Sequence, residues 1–433
     1  MTGLLERRYL FWSYKVMTNN HIIENLDNPD ALEESYQNSP DEFQKNFKKA
    51  FSHNAESETL KVWQARLNYQ VPITYIEQKI SISWLLVLCF IAGFIAKIPE
   101  LFRVNDGWYY PRFIPLAVIG VVIFYFLKIA ANPKVTKRVA ISLLAITAYA
   151  TILPDNTNSA SITMALIHLP LLLLTLLATS FMADDWKSVE SRLSFIRYVG
   201  EMGIYSILIL LGGMILTAIT LGLFGLIELS IEKWYMGYVV VLGLVSSPLV
   251  ATYLFDTIQN RQSKFAIILS NVFSPLFLVT IVVYLMATIY QGNSPFRDRD
   301  FLILFNGLLL VILAITIFSI SGRSKESKNH ATDYINMALV TATLLVNIVA
   351  LSAIVFRWAE HGLTINRVVV TGANILIFIH LALILKQYVE LMKSSGVNAE
   401  VANLERAIAK YLPVYSIWSV IVAVVLPLMF EYK

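Results

Sequence analysis

From residue 80 onward the chain alternates long apolar runs with short polar breaks. The runs lack the alternation of a half-buried strand, and each approaches the ~20 residues a bilayer-spanning helix needs. Eleven spans are predicted, at 81–97, 113–131, 139–154, 161–182, 199–227, 234–255, 265–290, 300–320, 334–356, 367–389 and 413–430. The third is short, and the fifth is long enough to tilt. The breaks leave no room for another folded domain.

Before residue 80 the pattern is amphipathic. Phe43, Phe47, Ala50 and Phe51 recur at helical spacing, as do Leu60, Trp63 and Leu67. Ser39-Pro40-Asp41-Glu42 supplies a capping hydroxyl, a proline for the first turn and two acids at the positive helix end. Val71-Pro72 stops the last helix. The expected fold is therefore all-α. A small N-terminal helical segment (1–79, cytoplasmic) precedes a polytopic transmembrane helix bundle (80–433). Residues 1–16 differ in character from the rest of that segment and read as an over-extended start or an extra amphipathic turn. The aromatic face of Phe43, Phe47, Phe51 and Trp63 needs an occupant: a second helix of the same segment, the membrane surface, or a cytoplasmic protein partner.

Composition agrees with a membrane protein. Hydrophobic residues make up 57% and charged residues 15% of the 433, against about a quarter charged in soluble domains. The net charge of +4 reflects basic connectors and does not argue for nucleic acid. Sixteen Lys and Arg flank one side of the spans and nine the other; the excess marks the cytoplasmic side. With the N-terminus inside and eleven spans, the C-terminus is periplasmic. The single cysteine, Cys89, forms no intrachain disulfide and no metal site. The opening LLERRYLFWSYKVM has too short an apolar core for a cleavable signal.

Two charged connectors then fall together on the external face, NSPFRDRDF (293–301) and FRWAEHGLTINR (356–367). With LEESYQNSPDEFQKNFKKAF and LKVWQARLNY upstream, these patches resemble an uncharacterised family of bacterial polytopic inner-membrane proteins. That family is known as domain of unknown function four-one-five-three, and the resemblance is to its Bacteroidetes-type members. It implies inner-membrane location and topology, and it transfers no catalytic residue.

The connectors hold Arg297, Asp298, Arg299, Asp300, Arg357, Glu360, His361 and Arg367. At ~1.5 Å per residue, Asn306 lies ~9 Å, Asn374 ~10 Å and Asn347 ~14 Å below their helix ends. Arg367, Thr371 and Asn374 form one stripe down a helix. Two readings stay open. The amides are interhelical glue and the charges snorkelling ends, or together they line an outward polar vestibule. Pro248 and Pro275, each after a serine, free the carbonyls of Leu244 and Asn271 and are hinge candidates or static bends. His380 reads as satisfied by a neighbour, and Glu201 as sitting at the positive start of the fifth span. Gly212, Gly213, Gly222 and Gly225 suggest close helix packing.

No phosphate-binding loop, HExxH or Gly-x-Ser-x-Gly occurs, so no cofactor or metal is expected. The leading functional expectation is non-enzymatic: transport of, or gating by, a small or lipidic ligand. A membrane-anchored sensor or scaffold comes second, and an intramembrane envelope-lipid enzyme third.

Overall fold

The computed structural model describes residues 19–38, 40–54, 57–68, 80–156, 158–291, 299–323, 331–393 and 397–432. Residues 1–16, Ser39, Val71-Pro72, Arg297 and Asp298 lie outside them. The described residues form fifteen helices and no strand, and contacts divide the chain into residues 1–78 and 79–433.

The first unit comprises α1 (Asn19–Glu24), α2 (Pro29–Asn38), α3 (Pro40–His53) and α4 (Glu58–Asn68). Its helices start where short polar side chains leave the chain. The Asn28 carboxamide oxygen accepts from Ala31 N, and the Ser57 hydroxyl accepts from Leu60 N, satisfying first-turn donors. Ile22, Leu32, Phe43, Phe47, Ala50, Leu60 and Trp63 are buried together, with Tyr36, Phe51 and Leu67 packed around them. The Phe43 and Trp63 rings stand 4.8 Å apart. Arg66 lies over Trp63 at 4.7 Å and pairs with Glu33. Of the three occupants open to the aromatic face, the unit's own helices take it. Phe43, Phe47 and Trp63 are used by this core, and only Phe51 is half-exposed.

The second unit is a bundle of long apolar helices: α5 (Ile82–Phe102), α6 (Asp106–Ala130), α7 (Pro133–Ile152), α8 (Ala160–Met182), α9 (Val189–Leu226), α10 (Glu232–Ile258), α11 (Phe265–Gln291), α12 (Arg299–Ser321), α13 (Ala331–His361), α14 (Ile365–Lys393) and α15 (Val397–Val420). A π-helical stretch, Ile421–Val425, and a turn, Leu426–Met429, carry α15 onward. Ten of these helices are long and apolar enough to cross a membrane, and Phe305–Ser321 of α12 is a shorter apolar stretch where the eighth span was expected. The protein is a multi-pass membrane protein. Large apolar side chains such as Phe90, Ile152 and Leu226 stay more than two-thirds exposed; such a surface belongs against lipid.

Helix starts are set by capping side chains. Ser81, Asn105, Asn132, Ser159 and Ser188 each accept a first-turn backbone N–H of α5 to α9. α9 begins ten residues before the expected span, which moves Glu201 away from its own helix start. Around Gly212, Gly213, Gly222 and Gly225 a Cβ would meet nothing within 4 Å, so the close packing expected there is absent among the described residues. Close approach occurs elsewhere: the Trp418 ring fills the space a Cβ on Gly372 would need.

α5 to α10 share one core, where Phe181 stacks on Tyr198 at 5.1 Å and Phe126 meets both rings edge-on at 5.0 Å. α11 to α15 pack around further apolar clusters. Within α10, Pro248 is accommodated locally: Ser247 Oγ donates to the Leu244 carbonyl at 3.0 Å, the acceptor that the proline leaves without its helical N–H. In α11, Ser274 instead donates to Ser270 O at 2.8 Å, so the two Ser-Pro pairs are not equivalent.

Truncation of Phe43 to alanine should cost the N-terminal unit about 3–5 kcal/mol. Limited proteolysis of the full chain in detergent should show cleavage between residues 19 and 68 accelerating while the membrane helices stay protected. Unchanged cleavage would show that this core does not hold the unit together.

Candidate functional site

All of FRWAEHGLTINR but Gly362-Leu363-Thr364 is helix. α13 runs on to His361, and a three-residue turn leads into α14. Gly362 has φ +74°, the left-handed conformation that ends helices at low cost only for glycine. Its N–H donates to Trp358 O at 2.9 Å, and Thr364 O accepts from Val368 N at 3.0 Å. Arg367 reaches back, donating from a terminal nitrogen to Gly362 O at 2.6 Å. Arg357 and Glu360 occupy the last turns of α13. Arg299, Asp300 and His361 fall at helix ends where only the backbone is described.

Below this hairpin the three amides of neighbouring helices meet. Asn374 Nδ2 donates to Asn306 Oδ1 at 2.9 Å, and Asn347 Nδ2 donates to the Asn374 backbone carbonyl at 3.2 Å. Asn347 and Asn374 are buried, and Asn347 Oδ1 has no donor among the described residues. Thr371, one turn above, donates to Arg367 O at 2.7 Å, so the stripe from Arg367 through Thr371 to Asn374 exists. His168 bonds the Met164 carbonyl of its own helix and is not joined to the amides.

The opposite end of the same helices carries a stronger polar layer. Arg323 forks onto Asp333 with contacts of 2.9 and 3.1 Å, and both side chains are at least 96% buried (4% and 3% exposed). Asn336 Nδ2 donates to Ser319 Oγ, which donates to Asn271 Oδ1, each at 2.8 Å. Sequence reading treats Arg323 as one more connector charge; the structure corrects this. The available signal was the ten-residue spacing of Arg323 and Asp333 across a helix end and the next helix start. Glu201 accepts from Ala266 N at 2.8 Å and Ser263 Oγ at 2.5 Å. The positive helix end it serves is that of α11. His380 Nδ1 lies 2.9 Å from Tyr415 Oη, and its ring stacks on Tyr411 at 4.4 Å. Its Nε2 has no partner among the described residues.

A cleft that sequence reading did not identify opens where α6 begins and α7 gives way to α8. It holds about 470 Å³ and is lined by Tyr110, Arg112, Ile114, Asp155, Leu166 and Ile167, among others.

No family model, curated protein or solved structure matches this chain. Among the described residues no three His, Cys, Asp or Glu side chains gather as a metal site would require. What the α12–α14 arrangement can do chemically is exchange hydrogen bonds with a polar visitor.

Removing one member of the buried ion pair should be costly, because the other charge stays buried with this partner lost. Arg323→Ala is expected to destabilise the solubilised protein by about 3–5 kcal/mol, read by chemical denaturation in detergent. Arg323→Met combined with Asp333→Leu should recover most of that loss. A loss below about 1 kcal/mol for Arg323→Ala would assign the pair the weight of an exposed one.

Proposed function

We propose that this chain is a bacterial inner-membrane protein, with its N-terminus cytoplasmic and C-terminus periplasmic, that admits or senses a small or lipidic ligand between α12, α13 and α14. The basic-residue asymmetry of the connectors and the resemblance of the two charged patches support that compartment and orientation. The observation that carries the ligand reading is the amide knot of Asn306, Asn347 and Asn374, closed in this structure and left with one buried acceptor unused. Polar side chains at that depth face a protein interior or an aqueous cavity. A knot of neutral amides holds helices together weakly, at ~0.6 kcal/mol per bond on average. A ligand offering donors and acceptors of its own replaces those bonds at little net cost. The knot is thus a latch, and the vestibule lies above it, between Thr371 and the hairpin. In the sensor alternative a partner would have to use a surface other than Phe43, Phe47 and Trp63.

Orientation is tested by labelling. With Cys89 replaced by serine, cysteine at Leu363, exposed in the hairpin turn, should react with an impermeant maleimide in intact spheroplasts. Cysteine at Lys134 should react only after lysis, and the reverse pattern places the vestibule on the wrong side.

The latch is tested with cysteine at Thr371. One amide bond, Asn374 to Asn306, joins α14 to α12; at ~0.6 kcal/mol it is worth about a threefold effect. Asn374→Leu, which removes that bond and leaves the Asn347 bond to the backbone carbonyl in place, should therefore raise the reaction rate of that cysteine with a small external methanethiosulfonate about threefold. An unchanged rate makes the amides static glue.

A further inference from the structure

The cleft at α6, α7 and α8 stands apart from the α12–α14 helices and is independent of the latch. Arg112 is 2% exposed. It donates to the carbonyls of Trp108 at 2.8 Å, Pro154 at 3.0 Å and Leu153 at 3.4 Å. A guanidinium carries five N–H donors; its Nε is buried with no acceptor among the described residues. Carbonyls bring only partial negative charge, and Arg112 forms no direct ion pair among the described residues; the full charge that acts on it is Asp155, through space. Such a group is costly to keep unless something neutralises it.

Asp155 lines the same cleft and is exposed. It attracts Arg112 electrostatically without a hydrogen bond to it, so the cleft presents a cation and an anion that leave space between them. Its loop is held by the Asn156 side chain, which accepts from Asn158 N at 3.2 Å. The remaining wall is apolar: Ile114, Leu166 and Ile167, with Ile167 56% exposed on the outer surface of α8. Arg112 stands six residues into α6, ~9 Å along the axis. That depth is near the boundary between headgroups and acyl chains in a bilayer with ~5–7 Å of interface on each side.

We propose that this cleft binds a phosphoethanolamine-type zwitterion, its phosphate on Arg112 and its primary ammonium at Asp155. With both terminal nitrogens of Arg112 on carbonyls, Nε is the donor left for a phosphate oxygen, and a charge-assisted bond of this kind is stronger than a neutral one. The apolar wall suits the acyl chains of an aminophospholipid, while the open mouth also admits the headgroup as a free solute. The shared chemistry is the phosphate and the ammonium.

The test is native mass spectrometry of the full chain in detergent. It is titrated separately with phosphatidylethanolamine and phosphatidylglycerol of identical acyl chains, and with soluble glycerophosphoethanolamine as competitor. Phosphatidylethanolamine should bind about threefold to fivefold more tightly than phosphatidylglycerol, the range of one partly solvated charge pair. Asp155→Asn should abolish that preference; the residue is exposed and caps nothing, and because its charge also acts on Arg112 the variant's thermal midpoint is measured alongside. Arg112→Gln should weaken both lipids, with its thermal midpoint measured alongside because Arg112 also holds the Leu153 and Pro154 carbonyls. Competition by glycerophosphoethanolamine at the lipid's own potency identifies a soluble ligand of the proposed chemistry, and failure to compete identifies the lipid. Equal binding of the two lipids by the unsubstituted protein, or a preference that survives Asp155→Asn, overturns the proposal.

Discussion

A polar group inside a bilayer has no water to turn to, so it must find its partner within the protein. That constraint organises the membrane unit. Hydroxyls along its helices donate to the carbonyl one turn back, as Thr147, Thr179, Ser206 and Thr343 do. The carbonyl that Pro248 strips of its N–H is recovered by Ser247. Glu201 spends its carboxylate on the first turn of another helix. Among the buried side-chain atoms left without a partner in the described residues are Asn347 Oδ1 in the amide knot, Arg112 Nε at the cleft and His380 Nε2 between tyrosines. Each is a polar atom held dry with capacity left over.

The same constraint explains what the sequence makes legible. Apolar runs of spanning length announce helices because nothing else can occupy the hydrocarbon layer, and the amphipathic spacing of Phe43, Phe47 and Phe51 announces a packed face. Depth arithmetic brings Asn306, Asn347 and Asn374 to one level because a helix has a fixed rise. Their meeting is thus readable one helix at a time.

Partnerships across helices without that regularity are not readable. Arg323 and Asp333 look like loop charges until the turn between two helices folds them inward. Arg112 looks like a helix-flanking cation until the loop at Leu153 and Pro154 closes over it. Helix ends also escape pattern reading. α9 starts at the Ser188 cap, ten residues early, because a polar-flanked extension is already helical before the apolar run begins. The glycines of α9 mislead for a related reason: a small residue permits close approach but does not supply a neighbour.

Comparing the two ends of α12 to α14 shows which end can part. At one end a doubly hydrogen-bonded, dry ion pair joins Arg323 to Asp333, backed by the chain from Asn336 through Ser319 to Asn271. Breaking one side of such a pair costs several kcal/mol. At the other end two bonds between neutral amides do the joining, at ~0.6 kcal/mol each. A separation of these helices that costs equal work per ångström will therefore start at the amide end and pivot about the ion pair. The hairpin at Gly362 limits how far it goes, since a three-residue turn tied by Arg367 to the Gly362 carbonyl holds α13 and α14 at their tips. Between α12 and α14 the side-chain hydrogen bond described at that end is Asn306–Asn374. The motion the energetics favour is α12 leaving the α13–α14 pair, with Asn306 giving up Asn374 and both amides turning toward whatever enters between them.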